Sequence, residues 1–216
     1  MRKILLAIVA LMASLSAFAG DLDIFLKGGV SISKFNLEES ENRAGVAAGF
    51  GGKFHFGESH FFIMPEVLYV QKGQENQVKI NENSYISPVM MHMIEVPLLF
   101  GGQYNIAGLS SLSIAFGVGP YVSYDFRFHE YTESMKYVMH DNKLKGISHG
   151  DIGLALNFEV HYKSLFVFYD YDLGLRDVTS GHYGLANSLC HRNMRIGAGY
   201  TFPTMKVDKQ RKKPQM

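Results

Sequence analysis

Twelve charged residues stand at alternate positions within otherwise apolar stretches, and they are the main candidates for chemistry in this sequence. Carboxylates next to lysine or arginine can bind ions, or they can form ion pairs that keep an interior closed. Taking such charges out of water is costly unless they pair or stay hydrated, so we expect them to meet one another. Seven are acidic and five are basic: Lys27, Lys53, Glu66, Lys72, Glu95, Asp125, Arg127, Asp151, Glu159, Asp170, Asp172 and Arg195.

A second group of reactive side chains lies nearer the carboxyl end. It comprises Ser180, His182, Ser188 and His191. A serine nucleophile beside a histidine base is the pair that acyl transfer requires. In lipid deacylases the serine follows the histidine by two positions, whereas His182 is followed by Tyr183 and Gly184. We therefore predict that the protein is not an enzyme and has no catalytic residue.

Metal ligation has weaker support. His149, Asp151 and His161 fall on one face of a predicted strand, but His161 lies far from the other two along that strand. The chain has no tight cluster of cysteine and histidine of the kind that binds zinc. A single histidine in a strand is more often a hydrogen-bonded wall residue, so we predict no metal site and no cofactor.

The elements that must position the charges are β-strands. Every second residue from Leu112 to Phe128 is apolar, and the residues between are small, polar or charged. Side chains alternate between the two faces of a strand, so one face is apolar and the other is not. A strand of this length can cross a bilayer, which takes about 9–11 tilted residues. The charged face must then turn away from lipid, and the inside of a barrel provides such a place.

The same alternation recurs eight times. The predicted strands cover residues 22–33, 45–56, 61–72, 94–103, 112–128, 151–162, 165–173 and 193–202. The connections at 57–59, 105–109 and 163–164 are short, whereas those at 74–89, 129–143 and 175–190 are long. Outer-membrane barrels sort their loops in this way, with short periplasmic turns and long external loops. The sequence therefore predicts an all-β fold, an eight-stranded antiparallel up-and-down transmembrane β-barrel.

The two ends of the chain differ from this central region. Arg2 and Lys3 precede a short apolar stretch and an Ala-Phe-Ala site, a pattern typical of a cleaved signal peptide over 1–19. Residues 20–202 then form the barrel domain, and 203–216 form a short basic periplasmic tail. Cys190 is the single cysteine, and the net charge is +1, so neither an internal disulfide nor nucleic-acid binding is predicted.

Aromatic residues cluster beside the short turns, as in the girdle of a membrane interface. They are Phe54, Phe56, Phe61, Tyr104, Tyr162, Phe166, Tyr200 and Phe202. Pro65, Pro97 and Pro120 each fall inside a predicted strand and lack an N–H group for the ladder. A closed barrel has no free edge for them, so we predict a β-bulge at each.

The last strand resembles the assembly signal of bacterial outer-membrane barrels. It has a polar residue, a glycine two positions later and two closing aromatic residues: Arg195, Gly197, Tyr200 and Phe202. The resemblance implies that the barrel-assembly machinery binds this strand by edge pairing.

A broader resemblance, over about residues 25–202, is to the PorT-like outer-membrane β-barrel (porin family) proteins of Bacteroidetes. Three stretches carry it, at 65–73 (Pro-Glu-Val-Leu-Tyr with Gln-Lys-Gly), 94–99 (Ile-Glu-Val-Pro-Leu-Leu) and 117–122 (Gly-Val-Gly-Pro-Tyr-Val). Members of that family include accessory proteins of a secretion system. The resemblance implies a bacterial outer-membrane location, with outer-membrane lipid and other envelope or secretion proteins as partners.

The predicted function is a structural, interaction or secretion-accessory barrel with a largely plugged lumen. The plug is predicted because the interior of an eight-stranded barrel is just wide enough to be filled by side chains. Three alternatives remain open at this point: a small-solute porin, an outer-membrane lipid-modifying enzyme and a soluble lipocalin-like carrier. The carrier would have its apolar faces turned inward.

Overall fold

Eight antiparallel strands form a closed barrel in the computed structural model, which describes residues 21–35, 40–56, 59–80, 83–109, 111–129, 150–176 and 190–202. Each strand pairs with the next in sequence, and the last pairs with the first. The predicted fold is confirmed. The strands are β1 (Asp21–Phe35), β2 (Ser40–His55), β3 (Phe61–Ile80), β4 (Asn83–Asn105), β5 (Leu112–His129), β6 (Gly150–Tyr162), β7 (Leu165–Gly174) and β8 (His191–Phe202).

The barrel turns its apolar faces outward. On β5, Tyr124 and Phe126 are 59% and 47% exposed, whereas Asp125 between them is 3% exposed. From Ile114 to Tyr124 the strand rises about 3.3 Å per residue, and a tilt of about 40° gives an apolar band roughly 25 Å tall. This polarity is the reverse of a soluble ligand carrier, which excludes the lipocalin-like alternative. No helix among the described residues is long and apolar enough to cross a membrane.

The connection predicted at 74–89 is wrong, because most of it belongs to a long β3–β4 hairpin. Pairing continues outward from Gln74 opposite Val89 to Ile80 opposite Asn83. The polar composition suggested a loop, but ladder hydrogen bonds use backbone groups only. Val78 and Ile86 in this stretch are also residues that favour strands.

The tight turn predicted at Lys163-Ser164 is confirmed. Lys163 has a φ of 55°, in the left-handed region that favours glycine. The Lys163 N–H donates to Ser111 O (2.9 Å), and the Thr201 N–H donates to Ser164 O (2.7 Å). These bonds join the turn to both neighbouring hairpins.

The bulges predicted at the three prolines are wrong. The register between strands is the same on both sides of Pro65, Pro97 and Pro120, although pairing is interrupted beside each one. Because proline only removes a donor, the ladder can skip a bond without gaining a residue. In the described residues the register shifts occur elsewhere, between Asn42 and Ala47 and between His92 and Met93.

The aromatic girdle is present with two exceptions. Its exposed members are Phe56, Phe61, Tyr104, Tyr162, Tyr200 and Phe202, each between 42% and 63% exposed. Phe54 and Phe166 are buried, so their predicted place in the girdle is wrong. Phe166 alternates with the outward Val167 and lies inside the barrel, where its ring stacks on His161 with centroids 4.9 Å apart.

Candidate functional site: the charged lumen

The strands bring the predicted charges together inside the barrel. Eleven of the twelve are buried, each 5% exposed or less: Lys27, Lys53, Glu66, Lys72, Glu95, Asp125, Asp151, Glu159, Asp170, Asp172 and Arg195. The side chain of Arg127 lies outside the described part of the structure. The alternation that places apolar neighbours against lipid therefore places these residues in the lumen.

Arg195 lies at the centre of the charges. From β8 its Nη1 and Nη2 donate to the two carboxylate oxygens of Asp172 on β7, at 2.5 and 2.9 Å. Nη1 also donates to Glu95 on β4 (2.6 Å), and Nε donates to Asp170 (3.3 Å). A guanidinium presents its donors in a fixed planar fork, so it can satisfy several carboxylates at once. Arg195 thereby connects strands on opposite sides of the lumen.

The three lumen lysines share a second pattern, in which each ammonium contacts both a carboxylate and an aromatic ring. Lys53 lies 2.7 Å from Glu159 and 4.8 Å from the centre of the Phe62 ring. Lys27 lies 2.9 Å from Asp170 and 4.8 Å from the centre of the Phe168 ring. A ring face attracts a cation by its quadrupole, and more strongly away from water.

Lys72 repeats the pattern at another level of the barrel. Its Nζ donates to Glu95 (2.6 Å), lies 3.7 Å from Asp172 and lies 5.0 Å from the centre of the Tyr121 ring. The Tyr121 hydroxyl in turn donates to Asp151 (2.7 Å). Each lysine, with its carboxylate and its ring, thus forms one level of the network, and the network has three such levels.

Neutral amides connect the levels. The Asn157 amide donates to Asp170 (2.7 Å) and to Glu159 (3.3 Å), and so joins the Lys53 level to the Lys27 level. The Asn193 amide donates to Asp172 (3.1 Å). A continuous set of hydrogen bonds and ion pairs therefore runs along the lumen from Lys53 to Asn193.

The end of the network nearest the short turns contains His161. Its Nε2 lies 2.7 Å from Glu159 Oε2, and its ring stacks on Phe166. Gln103 accepts from Lys53 (3.2 Å) and donates to Ser113 (3.1 Å). His161 is thus the hydrogen-bonded wall residue that the sequence predicts. At the other end, Asp125 is buried on the same face.

Apolar side chains fill the space that the charges leave. A buried cluster contains Phe25, Phe62, Met64, Leu99, Ala115, Tyr121, Ala155, Phe166 and Phe168. The sequence pattern predicts the lumen charges but not their ring partners, Phe62, Phe168 and Tyr121. Their positions alternate with outward residues, which is the signal that marks them as inward-facing. Which lysine each ring contacts depends on strand register and cannot be read from alternation.

The residues of the predicted assembly signal divide between the two faces. Arg195 belongs to the lumen network, and Tyr200 and Phe202 are exposed on the outer face. Gly197 pairs with Gly29 where β8 closes on β1, and a Cβ at Gly197 would lie 2.7 Å from Gly29 Cα. Only glycine fits such a close approach of two backbones.

The catalytic and metal candidates fall largely outside the described residues. Ser180, His182, Ser188 and His149 lie outside the described residues, and the side chain of His191 is not described either. Within the described part, no group of three or more histidine, cysteine, aspartate or glutamate side chains could hold a metal ion.

Comparison with known proteins agrees with this architecture. The sequence model of the family described as "Outer membrane protein beta-barrel domain" matches residues 13–180. The outer membrane protein OprG from Pseudomonas aeruginosa has a similar structure, with 14% identity and a TM-score of 0.51, covering 85% of this chain and 97% of OprG. No curated protein matches this chain.

Two other solved barrels show weaker likeness. Neisserial surface protein A has 10% identity and a TM-score of 0.46, covering 82% of this chain and 95% of its own. Ail, the attachment invasion locus protein of Yersinia pestis, was solved in complex with the heparin analogue sucrose octasulfate. It has 12% identity and a TM-score of 0.41, covering 85% of this chain and 99% of its own.

Proposed function

This chain belongs to the family of outer-membrane proteins with a β-barrel domain, and on that premise we propose that it is a closed barrel that acts through its surface. The family places it in the bacterial outer membrane. The proposed role is structural or interactive, with the longer loops as the contact surface. The observation that supports this role is the continuous set of ion pairs and hydrogen bonds across the lumen, centred on Arg195.

The cost of separating buried ion pairs favours a closed lumen over a small-solute porin. An ion passing through would have to displace pairs such as Lys72–Glu95 or Lys53–Glu159, which are almost fully buried. Breaking a buried pair and leaving one partner uncompensated costs about 3–5 kcal/mol. Several such pairs lie one after another along the path, so a steady current is not expected.

Planar-bilayer recording tests this proposal. Purified, refolded protein should insert and yet give no steady conductance steps in molar potassium chloride. A porin from the same preparation procedure serves as the positive control for insertion. Steady open-channel steps from this protein would overturn the closed lumen and support the porin alternative.

We further propose that the barrel is accessory to secretion, as in the PorT-like family. The support is the resemblance of the stretches at 65–73, 94–99 and 117–122. Deleting the gene should deplete secreted proteins from the medium while leaving the other outer-membrane barrels at normal levels. An unchanged secreted protein profile would contradict this finer role.

We propose that the protein is not an enzyme. The support is the spacing after His182, which lacks the serine of the deacylases. Mass spectra of lipid A from cells with and without the protein should be identical. Loss of an acyl chain only when the protein is present would favour the lipid-modifying enzyme instead.

We propose that residues 1–19 are removed during export. The support is the charged start, the short apolar stretch and the Ala-Phe-Ala site. N-terminal sequencing of protein from the outer-membrane fraction should begin at Gly20. A chain that keeps Met1 in that fraction would contradict the cleavage.

We also propose that the tail at 203–216 remains in the periplasm. The barrel-assembly machinery is proposed to bind β8.

A further inference from the structure

The last strand ends at the level where the barrel meets the lipid head groups. Tyr200 and Phe202 close β8 on the outer face, at 42% and 43% exposed, and their rings are in edge contact with centroids 5.3 Å apart. Exposed aromatic side chains of this kind mark a membrane–water interface. On this side of the barrel the outermost described pair between β1 and β8 is Ile24–Phe202, and Pro203, which follows, has no N–H group for the ladder. The segment 203–216 therefore begins at the head groups on the side of the short turns.

Charge is unevenly distributed between this segment and the barrel. The chain has 21 basic and 20 acidic residues, of which two basic residues lie in 1–19. The segment 203–216 holds five basic residues and one acidic residue, which leaves 14 basic and 19 acidic residues for the barrel at 20–202. The five are Lys206, Lys209, Arg211, Lys212 and Lys213. We call 203–216 the basic tail, because its net charge is opposite in sign to that of the barrel.

The barrel offers the basic tail few carboxylates at this level. The three short turns contain one acidic residue, Glu58, and one basic residue, Lys163, and the start of β1 adds Asp21 and Asp23. One of these carboxylates, that of Asp23, already lies 3.2 Å from His55 Nε2. The five cations of the basic tail therefore outnumber the carboxylates near its start, and the remaining positive charge is left for anions outside this chain.

The reach of the basic tail favours the membrane as the source of those anions. An extended chain spans at most about 3.6 Å per residue, so Lys206 stays within about 14 Å of Phe202 and Lys213 within about 40 Å. Attraction between exposed charges falls off over a Debye length of about 8–10 Å. The chain thus holds its first cations close to the head groups, whereas an anion that is not part of the membrane has no such enforced proximity.

We propose that the basic tail binds the phosphate groups of anionic phospholipids on the periplasmic surface of the outer membrane. A cluster of about four to eight lysines and arginines directly beside a membrane span is a recognised site for anionic lipid. The contact adds an electrostatic anchor to the aromatic one at Tyr200 and Phe202, on the strand that closes the barrel. Lipid binding at this surface rests on the periplasmic placement of the basic tail, and it is independent of the closed lumen and of any role in secretion.

Fluorescence from a dye on the basic tail tests the lipid contact. In a Cys190→Ala background, Gln210→Cys carries a polarity-sensitive dye, and the full chain is refolded in nanodiscs of phosphatidylcholine with or without phosphatidylglycerol. The emission should shift to the blue only in discs that contain phosphatidylglycerol, and molar salt should abolish the shift because it screens the attraction. An equal shift in both kinds of disc would indicate an uncharged contact or one within the chain, and would overturn the proposal. Binding to isolated peptidoglycan without any response to phosphatidylglycerol would overturn it in favour of the cell wall.

Two variants of equal length separate the charge of the basic tail from its sequence. The first should lose the shift, because it removes the charge through Lys206→Gln, Lys209→Gln, Arg211→Gln, Lys212→Gln and Lys213→Gln. The second is the matched control and should keep the shift, because it retains the charge through Lys206→Arg, Lys209→Arg, Arg211→Lys, Lys212→Arg and Lys213→Arg. Both leave every residue of the barrel in place, and a heat-modifiability gel verifies that each has folded. A shift that survives in the glutamine variant, or is lost in the charge-retaining one, would contradict phosphate binding.

Labelling of cells tests the placement separately from the lipid contact. A membrane-impermeant maleimide should label Gln210→Cys only after the outer membrane has been permeabilised. Labelling of intact cells would overturn the periplasmic placement of the basic tail. Failure of the response to phosphatidylglycerol in nanodiscs would instead overturn the lipid contact alone.

Discussion

Arg195 shows how one side chain can hold a lumen together. It contacts carboxylates of Glu95, Asp170 and Asp172, which come from two strands besides its own. A lysine in its place would be a point charge without the planar fork. The arginine that resembles part of an assembly signal therefore also has a structural role in the folded barrel.

Replacing Arg195 should cost much of the barrel's stability. In Arg195→Met, three buried carboxylates lose their shared cation, and the expected loss is about 3–5 kcal/mol. The loss is measured by urea unfolding of protein refolded into lipid, so that any effect on assembly in cells does not enter. Arg192→Met on the same strand is the matched control, because Arg192 lies outside the network, and its expected change is within about 0.5 kcal/mol. Equal losses in the two variants would show that the network contributes little.

The alternation of apolar and polar residues is sufficient to assign each side chain to the lumen or to the outer face. It is not sufficient to predict which lumen side chains contact each other. The inward position of Glu95 or Asp172 follows from its neighbours alone. Their meeting at Arg195 depends on closure of the barrel, because the two residues are far apart in sequence and come from β4 and β7. The same holds for the ring that each lysine contacts.

At the scale of elements, the closing contact between β8 and β1 depends on two glycines. Gly197 and Gly29 face each other, and a Cβ on either would meet the backbone of the other strand. Gly197→Val should therefore reduce stability by about 1–3 kcal/mol, the usual cost of overpacking. Ala198→Val, one residue on and exposed toward lipid, should have little effect. The comparison uses the urea midpoint, and a neutral Gly197→Val would contradict the close approach.

The two-residue turn between β6 and β7 gives a second test at this scale. Lys163 adopts a left-handed conformation and its ammonium lies 5.6 Å from the centre of the Tyr162 ring. Lys163→Gly and Lys163→Ala both remove the ring contact, so they differ only in backbone preference. The glycine variant should be more stable than the alanine variant by about 1 kcal/mol in thermal unfolding. An alanine variant of equal or greater stability would contradict the left-handed turn.

Strand boundaries can be predicted where apolar and polar residues alternate regularly. They cannot be predicted where a polar composition indicates a loop although the backbone continues the ladder. The strand beginning at Leu112 was predicted to within one residue of its ends. The hairpin beyond Gln74 was missed, because polar residues can continue a ladder that needs only backbone groups. The prolines were predicted to cause bulges, yet the wall keeps its register by leaving bonds unmade.

At the scale of the whole molecule, the polarity of the barrel determines where it can reside and what it can conduct. The outer face is apolar over a band that suits a membrane, and the inner face is a network of paired charges filled out by aromatic rings. Lipid therefore solvates the outside, while the charged groups of the Arg195 network pair with one another inside. The central claim is that this interior is closed to water-borne solutes at the level of the network.

Chemical labelling of a cysteine at Asn157 tests that claim most directly. In a Cys190→Ala background, Asn157→Cys places a thiol in the network, and Leu109→Cys places one on an exposed turn as the accessible control. The folded barrels in lipid vesicles open to reagent on both sides are treated with a small charged thiosulfonate. The closed barrel predicts rapid labelling of Leu109→Cys and labelling of Asn157→Cys only after unfolding. Equal labelling rates in the folded state would show an open lumen and contradict the account.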